Sequence, residues 1–281
     1  MTRIIDLLHD SRLPRLEVRM LLEHALNKPR AWLLAHDTDP APAVAAELYR
    51  ALAERRLAGE PMAYLLGERE FMGHTFRVTP DVLIPRPDTE LLVETAIEAI
   101  SRKPGATVLD LGTGSGAIAI SVALARSQAV VTATDCSAAA LAVATDNASR
   151  LGARLRLLHG DWFGALPAGE RFDLIVSNPP YIHSADQHLA QGDLRHEPRG
   201  ALTDGADGLG ALARIAADAP AWLAPGGALW MEHGWDQAEA VREQLRAAGF
   251  GNVASRRDLA GIERISGARG ATSCCGATLN R

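Results

Sequence analysis

The chain of 281 residues is predicted to be an α/β protein, a doubly wound, seven-stranded and largely parallel sheet preceded by a small α-helical domain and a linking β-hairpin. Three observations predict it. From about residue 88, short apolar runs alternate with helical stretches, which implies parallel strands joined by crossover helices on both faces. Residues 1–60 show helical spacing alone. Two apolar runs end in chemistry-bearing loops, one at Gly112-Thr113-Gly114-Ser115-Gly116 and one at Asn178-Pro179-Pro180-Tyr181. Such loops belong at strand C-termini, where open α/β sheets bind ligands.

In the first 60 residues Leu13, Leu16, Met20, Leu22 and Leu26 keep helical spacing, and Leu48, Ala51 and Leu52 repeat it. Pro40 and Pro42 stand where a helix start accepts proline, and Gly59 after Leu57 is a stop signal. From Phe71 to Ile84, Phe76 and Val78 and then, beyond Pro80-Asp81, Val82 and Ile84 alternate as in a short β-hairpin. Asp88 is placed to cap a helix over Thr89 to Ile100. Strands are expected at 106–111, 129–134, 155–159, 172–177 and 227–233, with a weaker antiparallel pair near 252–257 and 262–268. The expected divisions are a helical substrate-recognition domain over 1–68, a hairpin linker over 69–87, the sheet domain over 88–269, and a tail over 270–281 whose Gly, Ala, Ser and Thr predict disorder.

A formal charge of −5 and an isoelectric point near 6.0 argue against an extended nucleic-acid surface, which shows as a basic domain. Residues 1–75 hold 10 Lys and Arg against 11 Asp and Glu, and the remainder 19 against 23, so no basic half is hidden by the total. Cys136, Cys274 and Cys275 have neither metal nor redox spacing, and an odd count speaks against a disulfide framework, which points to a reducing cytoplasm. The charged start Met1-Thr2-Arg3-Ile4-Ile5-Asp6 lacks the apolar core of a signal peptide, and no run approaches the roughly 18 apolar residues of a membrane span. His183 and His188 have no acid or cysteine at metal spacing and read as loop residues; no metal is expected.

Asn178-Pro179-Pro180-Tyr181 follows the buried-strand pattern Phe172-Asp173-Leu174-Ile175-Val176-Ser177. An Asn carbonyl beside a proline carbonyl, which has no N–H of its own, makes an acceptor cluster suited to gripping a planar NH2 group. A proline-terminated strand with a packing tyrosine is the plainer alternative. The glycine loop permits positive φ and close backbone approach ahead of a helix N-terminus. Its spacing, Gly112-x-Gly114-x-x-Ala117 with Asp135 about 20 residues on, also fits a dinucleotide fingerprint, so a nicotinamide dehydrogenase stays open. Asp135 would accept from ribose hydroxyls or cap the helix after Ser137. Asp161 and Trp162 offer an acceptor and a flat apolar face for an adenine edge, although Trp162 could equally be a core aromatic.

The order glycine loop, acid, acid-Trp, Asn-Pro-Pro-Tyr resembles class I (seven-stranded, Rossmann-like) methyltransferases that modify planar nitrogens. The resemblance narrows with Arg56-Leu57-Ala58-Gly59-Glu60-Pro61-Met62-Ala63-Tyr64-Leu65-Leu66-Gly67, Val82-Leu83-Ile84-Pro85-Arg86-Pro87-Asp88-Thr89-Glu90, Glu197-Pro198, Glu232-His233-Gly234 with Gln237, and Asp258-Leu259-Ala260-Gly261. On these segments the chain resembles the HemK/PrmC family of peptide chain release factor glutamine methyltransferases over residues 15 to 269. His196 before Glu197-Pro198 departs from the aromatic expected there, and the tail with Cys274-Cys275 has no counterpart.

The resemblance implies methyl transfer from S-adenosyl-L-methionine to the side-chain N5 amide of the Gly-Gly-Gln glutamine of class-1 release factors, with no direct nucleic-acid or membrane partner. It implies that Gly112, Thr113, Gly114, Ser115, Gly116, Asp135, Asp161, Trp162 and Asn178 hold the cofactor. Asn178 and the Pro179 carbonyl would each accept an amide hydrogen, Pro180 would stiffen the loop and Tyr181 would pack on the glutamine. Arg86 and Glu197 are expected either at the edge of this site or in a capping or ion-pair role. The alternatives are a ribosomal-protein glutamine methyltransferase, an adenine-N6 nucleic-acid methyltransferase, and a catalytically silent protein that docks on release factors.

Overall fold

The computed structural model describes residues 2–270; Cys274, Cys275 and all of the expected tail except Gly270 lie outside the described residues. Its described residues divide into two compact units, 2–68 with Ala190–His196, and Arg69–Leu189 with 197–270.

The first unit holds helices α1 (Ile4–Leu8), α2 (Arg15–Leu26), α3 (Arg30–Ala35), α4 (Ala43–Leu57) and α5 (Met62–Leu66). Pro14, Pro29, Pro42 and Pro61 stand at the N-cap positions of the last four, where a preset φ costs no helical hydrogen bond. The leucine spacing predicts the buried faces in part: Leu13, Leu22 and Leu52 are buried. Leu16 and Leu48 are 56% and 40% exposed, while Val18, Leu21 and Leu22 of α2 meet Ala45, Ala46, Tyr49, Leu52 and Ala53 of α4. The reason is size: the alanines of α4 admit a close neighbour, and the Tyr49 hydroxyl donates to Asp10 Oδ2 at 3.0 Å, so a large ring can sit in this core without an orphaned polar atom. Segment 190–196 joins this unit through Arg195, whose guanidinium donates to the Ala58 carbonyl at 2.9 Å beside Gly59.

The second unit opens with a hairpin, β1 (Glu68–Phe71) and β2 (His74–Arg77), turning at Met72-Gly73. The hairpin expected from the alternation through Ile84 is therefore set too late. Val82 and Ile84 are buried, but Pro80 and Pro85 lack the N–H a ladder needs, and Val82 N donates into a turn at Thr79 O instead. Asp88 does not cap: it lies inside a 3-10 turn, Pro87–Thr89, that leads into α6 (Glu90–Ala99), and its carboxylate faces Arg264 at 3.4 Å.

The sheet then builds through β3 (Thr107–Leu111), α7 (Ala117–Ala125), β4 (Val130–Asp135), α8 (Ala138–Leu151), β5 (Arg156–His159), β6 (Phe172–Ser177), α9 (Arg199–Leu202), α10 (Gly210–Asp218), β7 (Leu223–Glu232), α11 (Ala238–Ala247), β8 (Gly251–Arg257) and β9 (Glu263–Arg269). Its order is β5-β4-β3-β6-β7-β9-β8, parallel through β7 and antiparallel at the last two pairings. Alternate residues feed two cores. Val108, Val131, Leu174 and Val176 pack under α6 and α7, and Leu109, Leu111, Ile175, Leu229 and Met231 pack under α10 and α11. Connections to the left of β3 and to the right of β6 diverge, so a crevice opens at the C-terminal ends of this pair. Leu111 and Ser177 are register partners, and Ser177 Oγ donates to the Leu111 carbonyl at 2.8 Å.

Candidate active site

The glycine loop leaves β3 at that crevice. Gly116, at φ +83, is the N-cap of α7, and a Cβ there would lie 2.7 Å from Ile120 Cδ1 and 3.2 Å from Ala144 Cβ. A Cβ on Gly112 would come to 3.2 Å from the Trp162 ring, so glycine lets the indole lie against the loop. Trp162 itself adopts φ +48, an uncommon conformation for an aromatic residue and one that concentrates at functional sites.

Asp135, the last residue of β4, fastens the loop. Its Oδ2 accepts from Gly114 N and its Oδ1 from Ser137 N, both at 2.8 Å. Helix α8 is capped by Ser137 Oγ, which accepts from Ala140 N at 3.1 Å; Asp135 braces that cap without replacing it. Beneath the loop, Thr113 Oγ1 donates to Asp110 Oδ2 at 2.7 Å. Desolvation holds the fully buried Asp110 carboxyl at about 7, with the Asp135 charge adding to the rise and the Thr113 bond opposing it. A second brace was not foreseen from sequence: fully buried Asn147 of α8 donates to the Ser115 and Arg77 carbonyls at 2.9 Å and accepts from Arg77 N at 2.7 Å. A lone polar residue on the apolar face of a predicted helix was the available signal.

Gly112, Thr113, Gly114, Ser115, Asp135, Trp162, Asn178 and Pro180 line one cleft of about 250 Å³, together with Arg86, Thr89 and the segment around Pro198. Gly116, Asp161, Pro179 and Tyr181 do not line it. Asp161 is exposed and pairs with Arg214 at 2.7 Å. Pro179 is buried behind the loop. The Tyr181 ring packs against the α10–α11 core; its hydroxyl donates to Glu232 Oε1 at 3.0 Å and its carbonyl accepts from Gln237 Nε2 at 2.9 Å. Burial first and the Glu232 charge second push the Tyr181 hydroxyl well above its ordinary range.

Asn178 follows β6 directly. Its Nδ2 donates to Thr89 Oγ1 at 3.1 Å, and its Oδ1 accepts no hydrogen bond among the described residues. The amide thus turns its donor end inward and keeps its acceptor end for the cleft. Arg86 and Glu197 form an ion pair: the Glu197 side chain is fully buried, accepts from Ile84 N at 3.0 Å and meets Arg86 Nη2. His183 and His188 belong to an exposed loop, where His188 Nδ1 meets Asp186 at 2.7 Å. Among the described residues no cluster of His, Cys, Asp and Glu could hold a metal ion.

The donor set suits S-adenosylmethionine. Asp135 has lone pairs beyond the two it uses and can accept from a ribose diol, Trp162 offers an indole face, and the glycine loop admits backbone approach at a helix start.

This sheet order and loop set define a class I methyltransferase that uses S-adenosylmethionine. In fold the chain matches a crystal structure of a methyltransferase from Pyrococcus furiosus with a TM-score of 0.55, at 20% identity over 78% of this chain and 98% of that one. Residues 1–67 match the PrmC N-terminal domain and residues 87–205 the methyltransferase small domain. The release factor glutamine methyltransferase of Bordetella pertussis (strain Tohama I) is 71% identical over 95% of this chain and 99% of its own length, and that of Burkholderia pseudomallei (strain K96243) is 57% identical over 94% and 95%. The chain belongs to the release factor glutamine methyltransferase family. The family expected from the sequence is the one found, and the dehydrogenase reading falls with it.

Proposed function

We propose that this protein transfers a methyl group from S-adenosyl-L-methionine to the side-chain N5 amide of the glutamine in the Gly-Gly-Gln motif of class-1 release factors. The observation that carries the reading is Asn178, held by Thr89 so that its carbonyl is left to the cleft that the glycine loop also lines. When bound, the cofactor supplies an electrophilic methyl on a sulfonium. An amide nitrogen is a weak nucleophile because its lone pair is delocalised, so the residues here act by positioning and by excluding water. Asn178 Oδ1 accepts one amide hydrogen and aims the nitrogen, and the carbonyl of Pro179, a residue that does not line the cleft as it stands, accepts the other once substrate is bound. These bonds strengthen as positive charge grows on it, and the proton leaves afterwards, so no base is required at the motif.

Asp135, Trp162 and Gly112 to Ser115 hold the cofactor, and Gly116 shapes the loop as the N-cap of α7; Asp161, expected among them, is paired with Arg214 outside the cleft. Pro180 stiffens the loop. The inward hydroxyl of Tyr181 supports a holding role for this residue, in place of direct packing on the glutamine. The helical unit over 1–68 recognises the protein substrate, and the chain acts in the cytoplasm.

Labelled S-adenosylmethionine should mark a release factor and leave a variant lacking the Gly-Gly-Gln glutamine unmarked; label on both, or on neither, overturns the assignment. Asn178→Ala should lower kcat by about 10² to 10³, the loss of a transition-state hydrogen bond, and unchanged turnover would remove Asn178 from the mechanism.

A further inference from the structure

We propose that Gln237 is a positioning residue for methyl transfer: its side chain clips the end of the Asn178-Pro179-Pro180-Tyr181 loop to the turn after β7 and so fixes where Asn178 stands. The inference rests on the reading of Asn178 given above.

Gln237 is the N-cap residue of α11, yet its side chain makes no capping hydrogen bond. Capping favours Ser, Thr, Asp or Asn, so the helix does not account for a glutamine here. The backbone of Gln237 closes the turn by itself: Gln237 N donates to Gly234 O and Val241 N donates to Gln237 O, both at 3.0 Å. The side-chain amide is left for another task, and both of its ends are taken by backbone. Oε1 accepts from Gly234 N at 2.8 Å, while Nε2 donates to Tyr181 O at 2.9 Å and reaches Gly208 O at 3.5 Å. A backbone N–H can only donate and a carbonyl can only accept, so the bridge needs an acceptor at one end and a donor at the other. A carboxylate of the same length cannot supply both.

The point it grips governs the loop. Pro179 and Pro180 have a fixed φ and no N–H, so the run from Tyr181 back to Asn178 is stiff and a shift at one end is carried to the other. Thr89 holds the Asn178 end at 3.1 Å, and Pro180 between them lines the cleft. Beyond Tyr181 the chain leaves and returns on itself, with Ile182 N donating to Leu202 O at 2.9 Å and Ser184 N to Ala206 O at 2.8 Å. Gly208 brings the returning chain so near that a Cβ there would fall 3.1 Å from Gln237 Nε2. Gln237 stands at the neck of the connection between β6 and α10, where one side chain reaches both the outgoing and the returning backbone.

The titratable groups around this neck are Asp236, whose Oδ1 lies beside Gly234, Asp204, which accepts from Gly208 N at 3.1 Å, Asp207 ahead of Gly208, the bonded pair Tyr181 and Glu232, and His233, whose Nδ1 meets Gly234 O at 2.8 Å. Burial keeps His233 below its ordinary value, so it stays uncharged from about pH 6 upward. Arg264 and Arg242, on the strand and helix that pack against the turn, are engaged by Asp258 at 3.0 Å and Glu263 at 3.1 Å.

The test exchanges the donor for an acceptor. In Gln237→Glu the ionised side chain faces the Tyr181 carbonyl with no proton to give, and the protonated one restores the bridge. Its kcat near pH 8 should lie about tenfold to 10²-fold below wild type, the loss expected when a reacting group is displaced by up to about 1 Å. The ratio to wild type should recover as the pH falls to about 6, since partial burial beside a carbonyl raises a carboxyl toward neutrality. The ratio is the readout because Glu232, held at about 7 by desolvation, titrates in both proteins. KM for release factor and calorimetric affinity for S-adenosylhomocysteine should stay within about threefold, the pattern of an interaction that matters in the transition state. Gln237→Met, of similar length and without charge, should be slow at every pH. A Gln237→Glu ratio that is flat with pH, or wild-type kcat in Gln237→Met, overturns the clip. If both variants keep wild-type kcat while Asn178→Ala loses it, the clip is wrong and the role of Asn178 stands. If Asn178→Ala also keeps it, the reading beneath the clip fails. Should Gln237→Glu not fold, Gln237→Met decides alone: wild-type kcat, or a loss matched by an equal loss of cofactor affinity, overturns the proposal.

Discussion

Asp110→Asn isolates the energetic burden of the carboxyl beneath the glycine loop. Asp110 is fully buried at the end of the central strand, accepts one bond from Thr113, and has its second oxygen without a hydrogen-bond partner. Its carboxyl is held at about 7 against an ordinary 3.8. The folded-state value is raised, so the favourable contribution is fully present below about 3.8 and is lost as pH rises through about 7, where the folded protein must carry a buried charge. Taken at about 1.4 kcal/mol per tenfold difference in proton affinity, the full burden is on the order of 4 kcal/mol, and roughly 3 kcal/mol of it develops between pH 5 and pH 8. Asparagine keeps an acceptor for Thr113 and cannot ionise; the burial of its NH2 costs about 1 to 3 kcal/mol, nearly independent of pH. Urea unfolding followed by circular dichroism at pH 5, 6, 7 and 8 should therefore show the variant gaining on wild type by roughly 3 kcal/mol across the series. Glu232, raised in the same direction, remains in both proteins and cancels from the difference. A stability difference that stays constant within about 1 kcal/mol over that range would refute the account.

Asp135→Ala removes the brace on Gly114 and Ser137 as well as the proposed ribose acceptor, and should weaken binding of S-adenosylhomocysteine by tenfold or more, about 1.4 kcal/mol; calorimetry showing an unchanged affinity would contradict both roles. Gly208 sits at φ +79 with the position of a Cβ only 2.1 Å from the Tyr181 carbonyl. Gly208→Ala should cost more than about 1 kcal/mol in thermal unfolding and lower kcat more than cofactor affinity, because the displaced backbone is that of the Asn-Pro-Pro-Tyr loop.

What could be read from the sequence followed how locally each feature is encoded. Central strands announce themselves because both faces are covered: Val108-Leu109 and Leu174-Ile175-Val176 are continuous apolar runs with nothing to confuse them. The helical unit is harder. Leu16 and Leu48 lie at helical spacing yet face outward, since the inward faces are set by alanines and by a tyrosine whose hydroxyl depends on Asp10. The alternation through Val82 and Ile84 marked burial correctly and strand wrongly, because burial in an extended loop has the same period. At the site, the glycine loop, Asp135 and Asn178 were legible as motifs. Asn147, Thr89 and the inward turn of Tyr181 were not, because their partners Ser115, Asn178 and Glu232 come from separate parts of the chain and meet only in the folded sheet.

The pairing of Leu111 with Ser177 makes the sheet a ruler. Glycine loop and Asn178 spring from adjacent hydrogen-bonded strands, and the Ser177 hydroxyl pins the two at their last common rung. The strands they leave lie roughly 4.8 Å apart, so the two loops start from neighbouring points held by backbone hydrogen bonding. A reaction governed by distance between two bound groups is thereby calibrated by backbone geometry, and selection is left free to rewrite what approaches from outside without disturbing the gauge.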